Sequence, residues 1–366
     1  MISKTIPEKL GKDSDVITKL RRFAVTNTKL WLCFGLPIMC FALSANTAAS
    51  QTLDWSPSEK YDQGAQSSVA VHRSGLVLEA HQTPFGDRMW YHLGMLNGTS
   101  VTWGGSQRLP GAGAQNWPNV AITKEGYVIF VYSMGDFKRI GNLYYMVGRI
   151  DPNGGTDQSI TWLTDELPID AGFHSSIAIN ENGVILLAFE SGSGGDGLYY
   201  RVGHLSNPAG GYYNILWDSG RYGIKYDEGI NPHIALNDLD EVVEAHQVPS
   251  EQALLHYRRG TVSGGTINFE RSQRYDSDGS RPAVALLNSG LVVELHNVSH
   301  SADTGVYART GTLSPSNPEG IEWSDSVRIS NEDSIGIYPA VASNGSYAVG
   351  SWEIGPGLYY SVATIP

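Results

Sequence analysis

The chain alternates short apolar segments with polar turns, and one short phrase recurs along most of its length. The phrase consists of an aliphatic residue, any residue and then an aromatic residue. It occurs at Leu53–Trp55, Val101–Trp103, Ile160–Trp162, Ile215–Trp217, Ile267–Phe269 and Ile321–Trp323. The aromatic residues lie 48, 59, 55, 52 and 54 residues apart. A period in this range, filled with short strands, is typical of a β-propeller or a related array.

One repeat is enough to predict the strands of a blade. In the fifth repeat, residues 281–286 and 291–296 are apolar segments joined by a turn at Asn288-Ser289-Gly290. A third segment covers residues 306–311, and the next phrase, Ile321–Ser324, supplies a fourth. No segment has an apolar period of 3.6 residues, so we expect an all-β chain. The six repeats predict a six-bladed β-propeller of four-stranded antiparallel blades.

The two ends of the repeat region complement each other. The last repeat stops at Pro366 without a fourth strand, whereas the first begins with an isolated one, Leu53–Ser56. Pairing of this N-terminal strand with the last blade would leave no open sheet edge. We therefore predict that the N-terminal strand closes the ring.

The first 50 residues have the pattern of a targeting segment. Four basic residues between positions 19 and 29 precede an apolar run, Leu30–Leu43, and small residues follow. This order is typical of a secretory signal peptide, and the run is too short for a membrane span. We expect a signal peptide with a basic leader over 1–50, one propeller domain over 51–366, and a secreted protein without stable membrane insertion. Both cysteines, Cys33 and Cys40, fall in the signal, which excludes thiol catalysis and cysteine zinc sites in the exported chain.

The charge of the chain narrows the class of partner. Residues 51–366 contain 18 Lys and Arg against 34 Asp and Glu, a net charge of −16. Such a surface repels nucleic acid and anionic membranes, and it suits neutral sugars, cations or basic partners. We therefore predict no nucleic-acid partner. The sequence contains no pattern that sets the number of subunits.

A Tyr-Asp-x-Gly motif precedes the first strand of several repeats. Its aspartates are Asp62, Asp227 and Asp276. Asp accepts hydrogen bonds from nearby backbone N–H groups and Gly permits positive φ, so the motif favours a turn between blades. The alternative is that these carboxylates bind a ligand at the rim. We expect no cofactor, with calcium at Asp-Gly-rich segments such as 276–279 as an alternative, although none forms a complete EF-hand loop.

A Glu-x-His motif ends the second strand of three repeats. It occurs as Glu79 with His81, Glu244 with His246, and Glu294 with His296. Period two places both side chains on one face of a strand, so we expect them to project together near one rim. Two interpretations remain open: each Glu pairs with an Arg on the next strand, Glu294 with Arg309 and Glu244 with Arg258, or the Glu and His groups, with nearby Tyr and Trp, bind a sugar or a metal. We expect no metal; the alternative is a His/Glu metal site, which would require blades 4 and 5 to converge.

The repeat design resembles that of propeller lectins. The Tyr-Asp-x-Gly motif also resembles the Asp-box of sialidase-type propellers, Ser-x-Asp-x-Gly-x-x-Trp, but it lacks the final Trp and lies elsewhere in the repeat. No arginine set for a sialic acid carboxylate is visible. The resemblance implies carbohydrate binding, so we predict a secreted, lectin-like protein that binds a carbohydrate or another cell-surface polymer without catalysis. The alternatives are a sialidase-like or other propeller glycoside hydrolase or lyase, and a structural or adhesive surface module.

Overall fold

The apolar segments of the repeats form antiparallel strands, and the polar segments form the turns between them. The computed structural model describes residues 52–366 except 85, 87, 112–114, 135–140, 192–196, 207–212, 221, 250–253, 300–303, 315–316, 318–319 and 332–335. This part of the chain belongs to one compact unit with 28 strands. It includes no helix that is long and apolar enough to cross a bilayer. The predicted signal peptide lies outside the described residues.

The strands are short and follow one another closely along the chain. The first six are β1 (Glu59–Gln63), β2 (Ala65–Val71), β3 (Leu76–Gln82), β4 (Met89–Asn97), β5 (Ser100–Trp103) and β6 (Gln107–Arg108). The next nine are β7 (Gln115–Ile122), β8 (Tyr127–Met134), β9 (Asn142–Arg149), β10 (Thr161–Trp162), β11 (Leu167–Ile179), β12 (Val184–Ser191), β13 (Gly197–Ser206), β14 (Asn214–Trp217) and β15 (Ile224–Glu228). The last thirteen are β16 (Ile230–Leu236), β17 (Glu241–Val248), β18 (Leu254–Ser263), β19 (Thr266–Phe269), β20 (Gln273–Asp276), β21 (Gly279–Leu286), β22 (Leu291–Val298), β23 (Gly305–Leu313), β24 (Ile321–Trp323), β25 (Val327–Arg328), β26 (Ile337–Ser343), β27 (Tyr347–Ile354) and β28 (Gly357–Thr364).

The strands form a β-propeller, but its sheets are not the six separate ones that the repeats predict. Four sheets are separate blades of four or five strands, built from β2–β6, β16–β20, β21–β25 and β26–β28 with β1. The fifth sheet contains all nine strands from β7 to β15. The reason is that β11 runs on without a break: its start pairs with β9 and its remainder with β12. At the equivalent point elsewhere, Gly64 separates β1 from β2 and Gly229 separates β15 from β16.

The N-terminal segment pairs with the last strand of the chain. Strand β1 runs antiparallel to β28, with Glu59 opposite Tyr360. The predicted strand Leu53–Ser56 is reduced to a single bridge between Trp55 and Ala363 and one backbone hydrogen bond, from Ser56 N–H to the carbonyl of Val362 at 2.8 Å. The paired segment thus begins a few residues later than predicted.

The recurring aromatic residue has a packing role that explains its period. Trp103 stacks on Tyr61 with ring centroids 4.8 Å apart. Phe269 stacks on Tyr226 and Trp323 on Tyr275 in the same way, each at 4.9 Å. Each pair joins the aromatic of one phrase to the Tyr of a Tyr-Asp-x-Gly motif, so the two motifs recur together because they pack together.

The innermost strand of each repeat carries the same irregularity near its start. In β2, β7, β11, β16, β21 and β26 the ladder to the following strand shifts register, as at a β-bulge. At each shift one residue other than glycine has a positive φ between 44° and 56°: Gln66, Trp117, His174, Asn231, Arg281 and Tyr338. The fold therefore places six side chains by one repeated backbone geometry.

Candidate functional site

The six bulged residues meet in one depression. Gln66, Trp117, His174, Asn231, Arg281 and Tyr338 line it together with the residues that follow each of them. The depression has a volume of about 90 Å³. Since each of the six inner strands contributes to its wall, it lies where these strands converge, and we call it the axial depression.

The backbone at these positions is strained. The left-handed conformation costs an L-residue roughly 1–2 kcal/mol, and a following proline disfavours helical conformations further. Four of the six residues nonetheless precede a proline: Trp117, Asn231, Arg281 and Tyr338. Backbone strain of this kind concentrates at functional sites, where the surrounding structure holds it in place.

Aromatic and cationic groups contact each other across the depression. The ring of Trp117 meets that of His174 edge to face, with centroids 3.9 Å apart, and that of Tyr338 at 5.3 Å. The guanidinium of Arg281 lies over the Tyr338 ring, 4.1 Å from its centroid. The wall thus combines flat apolar faces with hydrogen-bond donors, which is the usual composition of a small-molecule site.

Two carboxylates support the bulged residues. Glu190 Oε1 accepts hydrogen bonds from the Asn231 N–H at 2.6 Å and from His174 Nδ1 at 2.7 Å. Glu353 Oε2 accepts one from the Gln66 N–H at 3.1 Å. Burial raises the pKa of Glu353 and outweighs the opposing effects of this bond and of the Arg281 charge, so the pKa of Glu353 lies above its ordinary value.

The equivalent positions in two other repeats are glutamines with the same role. Gln82 Oε1 accepts from the Trp117 N–H at 3.3 Å, and Gln247 Oε1 from the Arg281 N–H at 3.4 Å. A side chain at the end of one second strand thus holds the bulge of the next inner strand. An amide suffices for that role, so the backbone alone does not require a carboxyl group at Glu190 and Glu353.

His233 also lines the depression and is held in its neutral form. Its Nδ1 accepts a hydrogen bond from the Val284 N–H at 3.2 Å. Burial lowers the pKa of His233 to about 4. Ser68 and Ser176 occupy the equivalent place in other repeats and accept from the Val120 and Ile234 N–H groups.

The predicted Glu-x-His residues lie elsewhere, inside the sheets. The expectation that they project from an exposed rim is wrong, because all six are buried: Glu79, His81, Glu244, His246, Glu294 and His296. Glu244 accepts hydrogen bonds from Tyr226 Oη at 2.8 Å and His246 Nδ1 at 2.9 Å, and Glu294 is bonded in the same way by Tyr275 and His296. Their ligand-binding role stays a prediction.

The predicted pairing of Glu with arginine is confirmed for Glu294 but not for Glu244. Arg309 Nε lies 3.5 Å from Glu294 Oε2, and the same guanidinium is bonded to Asp276. Arg258, although it lies opposite Glu244 in the ladder, donates from Nε to Asp227 Oδ2 at 2.6 Å. The aspartates of the Tyr-Asp-x-Gly motif are therefore the main partners of these arginines.

The three motif aspartates are half-buried and keep their charge. Burial raises the pKa of Asp227, but the hydrogen bonds from Arg258 and the Glu228 N–H outweigh it, and the pKa falls below its ordinary value. The pKa of Asp276 is lowered in the same sense by backbone, His296 and Arg309 partners, and that of Asp62 by the His92 hydrogen bond.

The opposite ends of the inner strands form a wider polar cavity of about 390 Å³. Its side chains largely bond to one another: Asp238 Oδ1 accepts from the Glu181 N–H at 2.7 Å, and Asp238 Oδ2 from Asn288 Nδ2 at 2.6 Å. These contacts link neighbouring hairpin turns, so the groups have a structural role.

The axial residues were not among the sequence candidates, although a signal was present. Each precedes a recurring segment in which a small or polar residue leads to an aliphatic residue and alanine, as in Trp117-Pro118-Asn119-Val120-Ala121 and Tyr338-Pro339-Ala340-Val341-Ala342. The first residue is different in every repeat. A motif defined by residues that recur does not include a position whose residue differs in every repeat.

Comparisons with known proteins bear on the fold. No protein-family model matches the chain, and no curated protein matches it. Among solved structures, a protein of unknown function from Dyadobacter fermentans is 14% identical over 87% of this chain and 100% of its own, with a TM-score of 0.58. The NanB sialidase of Streptococcus pneumoniae is 10% identical over 86% and 70%, with a TM-score of 0.56. An α-L-arabinanase of Penicillium chrysogenum, complexed with arabinobiose, is 13% identical over 86% and 98%, with a TM-score of 0.54.

These similarities establish the architecture. The chain has a β-propeller fold like that of sialidase and arabinanase propellers, as the repeats predict. At such low sequence identities, the functional residues of these proteins cannot be assigned to positions of this chain, and fold alone does not imply function.

Proposed function

We propose that the protein is a secreted, lectin-like propeller that binds a carbohydrate at the axial depression without transforming it. One observation carries the proposal: six side chains, different in every repeat, converge on one depression from identical strained backbone positions. A fold that repeats itself has no structural need for six different residues there. A site for one asymmetric ligand does need them.

The chemistry of the wall suits a sugar. The apolar face of a sugar ring packs on aromatic rings, here those of Trp117 and Tyr338, and its hydroxyls bond to groups such as Arg281 and Asn231. Because the depression is small, the ligand would insert one sugar unit or lie across the opening. The acidic surface of the exported chain favours a neutral glycan over a polyanion.

We also propose that the propeller has six blades. The nine-stranded sheet then counts as two consecutive blades, beside the four separate ones. The supporting observation is β11, which serves both as the outer strand of one ladder and the inner strand of the next. The pairing of β1 with β28 supports closure by the N-terminal strand. Secretion rests on the predicted signal peptide.

A second candidate, a propeller glycoside hydrolase or lyase, has one specific observation in its favour. Glu190 and Glu353 both support the depression, and the raised pKa of Glu353 is a property of a general acid. Two carboxylates are also what a glycosidase requires. A structural or adhesive module remains the third candidate.

Glycan-array binding of the exported protein tests the proposal. We expect a selective set of glycans to bind, with Tyr338→Ala reducing affinity at least tenfold and Tyr222→Ala, an exposed tyrosine outside the depression, leaving it unchanged. Absence of binding to any glycan would favour the adhesive module. Turnover of polysaccharides or chromogenic glycosides, lost in Glu353→Gln while binding persists, would establish the enzyme instead.

A further inference from the structure

Three equivalent clusters of side chains link neighbouring sheets, and one of them differs from the other two. Each contains an aspartate of the Tyr-Asp-x-Gly motif and both residues of a Glu-x-His motif. The fourth member lies opposite the Glu in the next strand: Arg258 opposite Glu244, Arg309 opposite Glu294, and His92 opposite Glu79. The first cluster therefore has an imidazole where the others have a guanidinium.

The substitution changes what the cluster can bind. In the second cluster Arg258 bonds to Asp227, and in the third Arg309 bonds to Asp276, so a permanent positive charge occupies the space between the carboxylates. In the first cluster that space is faced by two imidazole rings, those of His81 and His92, which are stacked with centroids 5.6 Å apart.

The other ring nitrogens fix how these imidazoles are oriented. His92 Nδ1 lies 3.0 Å from the Gly104 carbonyl, and His81 Nδ1 lies 3.0 Å from Glu79 Oε2. Carbonyl and carboxylate oxygens only accept, so both Nδ1 atoms carry the proton and donate. Both Nε2 atoms face Asp62 Oδ2. His92 Nε2 donates a hydrogen bond to it at 2.6 Å, through a proton that a bound metal ion would displace, and His81 Nε2 lies 3.8 Å from it. Histidine ligands of metals are held in this way by a carboxylate or a backbone carbonyl.

We propose that Asp62, His81 and His92 bind a divalent transition-metal ion of the zinc type. Their three ligand atoms lie within 4.8 Å of one another. Ligand atoms around a tetrahedral zinc ion are ~3.3 Å apart, as follows from bond lengths of about 2.0–2.1 Å, so shifts below ~1 Å would suffice. Two imidazole nitrogens and one carboxylate oxygen are a donor set that zinc accepts with a fourth position left to solvent.

The burial of the three side chains agrees with such a site. The His81 and His92 side chains are 3% and 6% exposed, whereas that of Asp62 is 29% exposed and gives the ion a path to solvent. Asp62 belongs to β1, which pairs with the last strand, and the histidines belong to β3 and β4. The ion would thus link the sheets that meet at the chain termini, where Asp–Arg ion pairs link the equivalent sheets elsewhere. This departs from the expectation of no metal.

Calorimetric titration of the chelator-treated protein with zinc chloride tests the proposal. We expect one equivalent to bind and the melting temperature to rise by several degrees. His92→Arg rebuilds the arrangement of the other two clusters, so it should lower zinc affinity at least tenfold without lowering the melting temperature of the metal-free protein. Asp62→Asn, which keeps a hydrogen-bond acceptor, should weaken zinc binding to a similar degree. If His92→Arg does not fold, the zinc affinity of Asp62→Asn tests the proposal.

The reciprocal change provides a gain of function. Arg258→His places a second imidazole beside Asp227 and His246, and we expect a second equivalent of zinc to bind. Arg271→His, at an exposed position outside the cluster, is the matched control and should add none. The proposal is overturned if the native protein shows no saturable zinc binding, or if His92→Arg and Asp62→Asn bind zinc as the native protein does.

Discussion

The axial depression and the three inter-sheet clusters are built by opposite rules. The axial positions share one strained backbone conformation but carry six different side chains. The clusters share an Asp, a Glu and a His and differ only in the fourth side chain, and their members largely satisfy one another: Glu244, for example, is fully buried and bonded by Tyr226 and His246. In a repeat fold, the residues that recur hold neighbouring units together. The residues that differ at a constant position are free to make one specific site.

The largest loss of stability is expected on removal of the N-terminal segment, which pairs with the last strand of the chain. Removing residues 51–60 deletes the buried Leu53, the bridge from Trp55 to Ala363 and the start of β1. An exposed edge on β28 and a lost apolar contact should lower the free energy of unfolding by about 5 kcal/mol. Thermal melting of this variant beside the chain that begins at residue 51 measures the effect, and equal melting temperatures would refute closure by the N-terminal strand.

The next prediction tests whether an inter-sheet cluster contributes to stability and not to glycan binding. Glu244→Gln leaves the volume unchanged but removes a buried charge that accepts from Tyr226 and His246, so we expect a loss of ~3 kcal/mol of stability. Glycan affinity should not change. Glu228→Gln, in an exposed ion pair with Lys225, should alter neither quantity and serves as the control. Weakened glycan binding at an unchanged melting temperature would instead indicate that the Glu-x-His motif binds the ligand.

Sequence patterns predicted much of the architecture, because the period records packing. The recurring aromatic and the Tyr-Asp-x-Gly motif stack on each other, as Trp103 does on Tyr61, so the spacing of the strands follows from it. The merging of two ladders through β11 was not predictable, since it depends on whether the chain bends or stays extended at Gly172.

The candidate site was harder to predict than the fold. Period two correctly places Glu244 and His246 on one face of a strand, but it does not say whether that face meets solvent or a neighbouring sheet. The contact between Trp117 and Tyr338 joins strands more than 200 residues apart and depends on the bulges, which leave no fixed residue type in the sequence. Comparing the repeats for their differences would have found these positions.

A smaller effect, visible in the pH dependence of stability, comes from His233, which lies two residues after the bulged Asn231. The pKa of His233 is lowered to about 4, below the ordinary 6.5 of the unfolded chain. Between these values the unfolded chain binds a proton that the native protein does not. The free energy of unfolding is therefore not reduced by His233 above pH 6.5. As the pH falls from 6.5 to about 4, proton binding to the unfolded chain lowers it by at most ~3 kcal/mol, and below pH 4 this effect does not grow further.

The control for this pH effect comes from the repeats themselves. His233→Ser introduces the residue found at Ser68 and Ser176, which accepts the same backbone hydrogen bond and does not titrate. Denaturant unfolding from pH 7.5 to 4 should show a steeper loss for the native protein than for the variant. Parallel curves would mean that His233 is protonated in the folded state.

The smallest expected change in stability tests the axial residues directly. Arg281 adopts φ 50° and stacks on Tyr338, so Arg281→Gly removes a cation that lines the axial depression while relieving the left-handed strain. Relief of ~1 kcal/mol and loss of the cation–π contact nearly cancel, and we expect stability to change by less than ~1 kcal/mol. Glycan affinity should nevertheless fall at least tenfold. Arg271→Gly, at an exposed position away from the depression, should leave affinity unchanged. If Arg281→Gly instead lowered stability by several kcal/mol and left affinity intact, the six bulged residues would serve to pack the inner strands together, as the clusters pack neighbouring sheets.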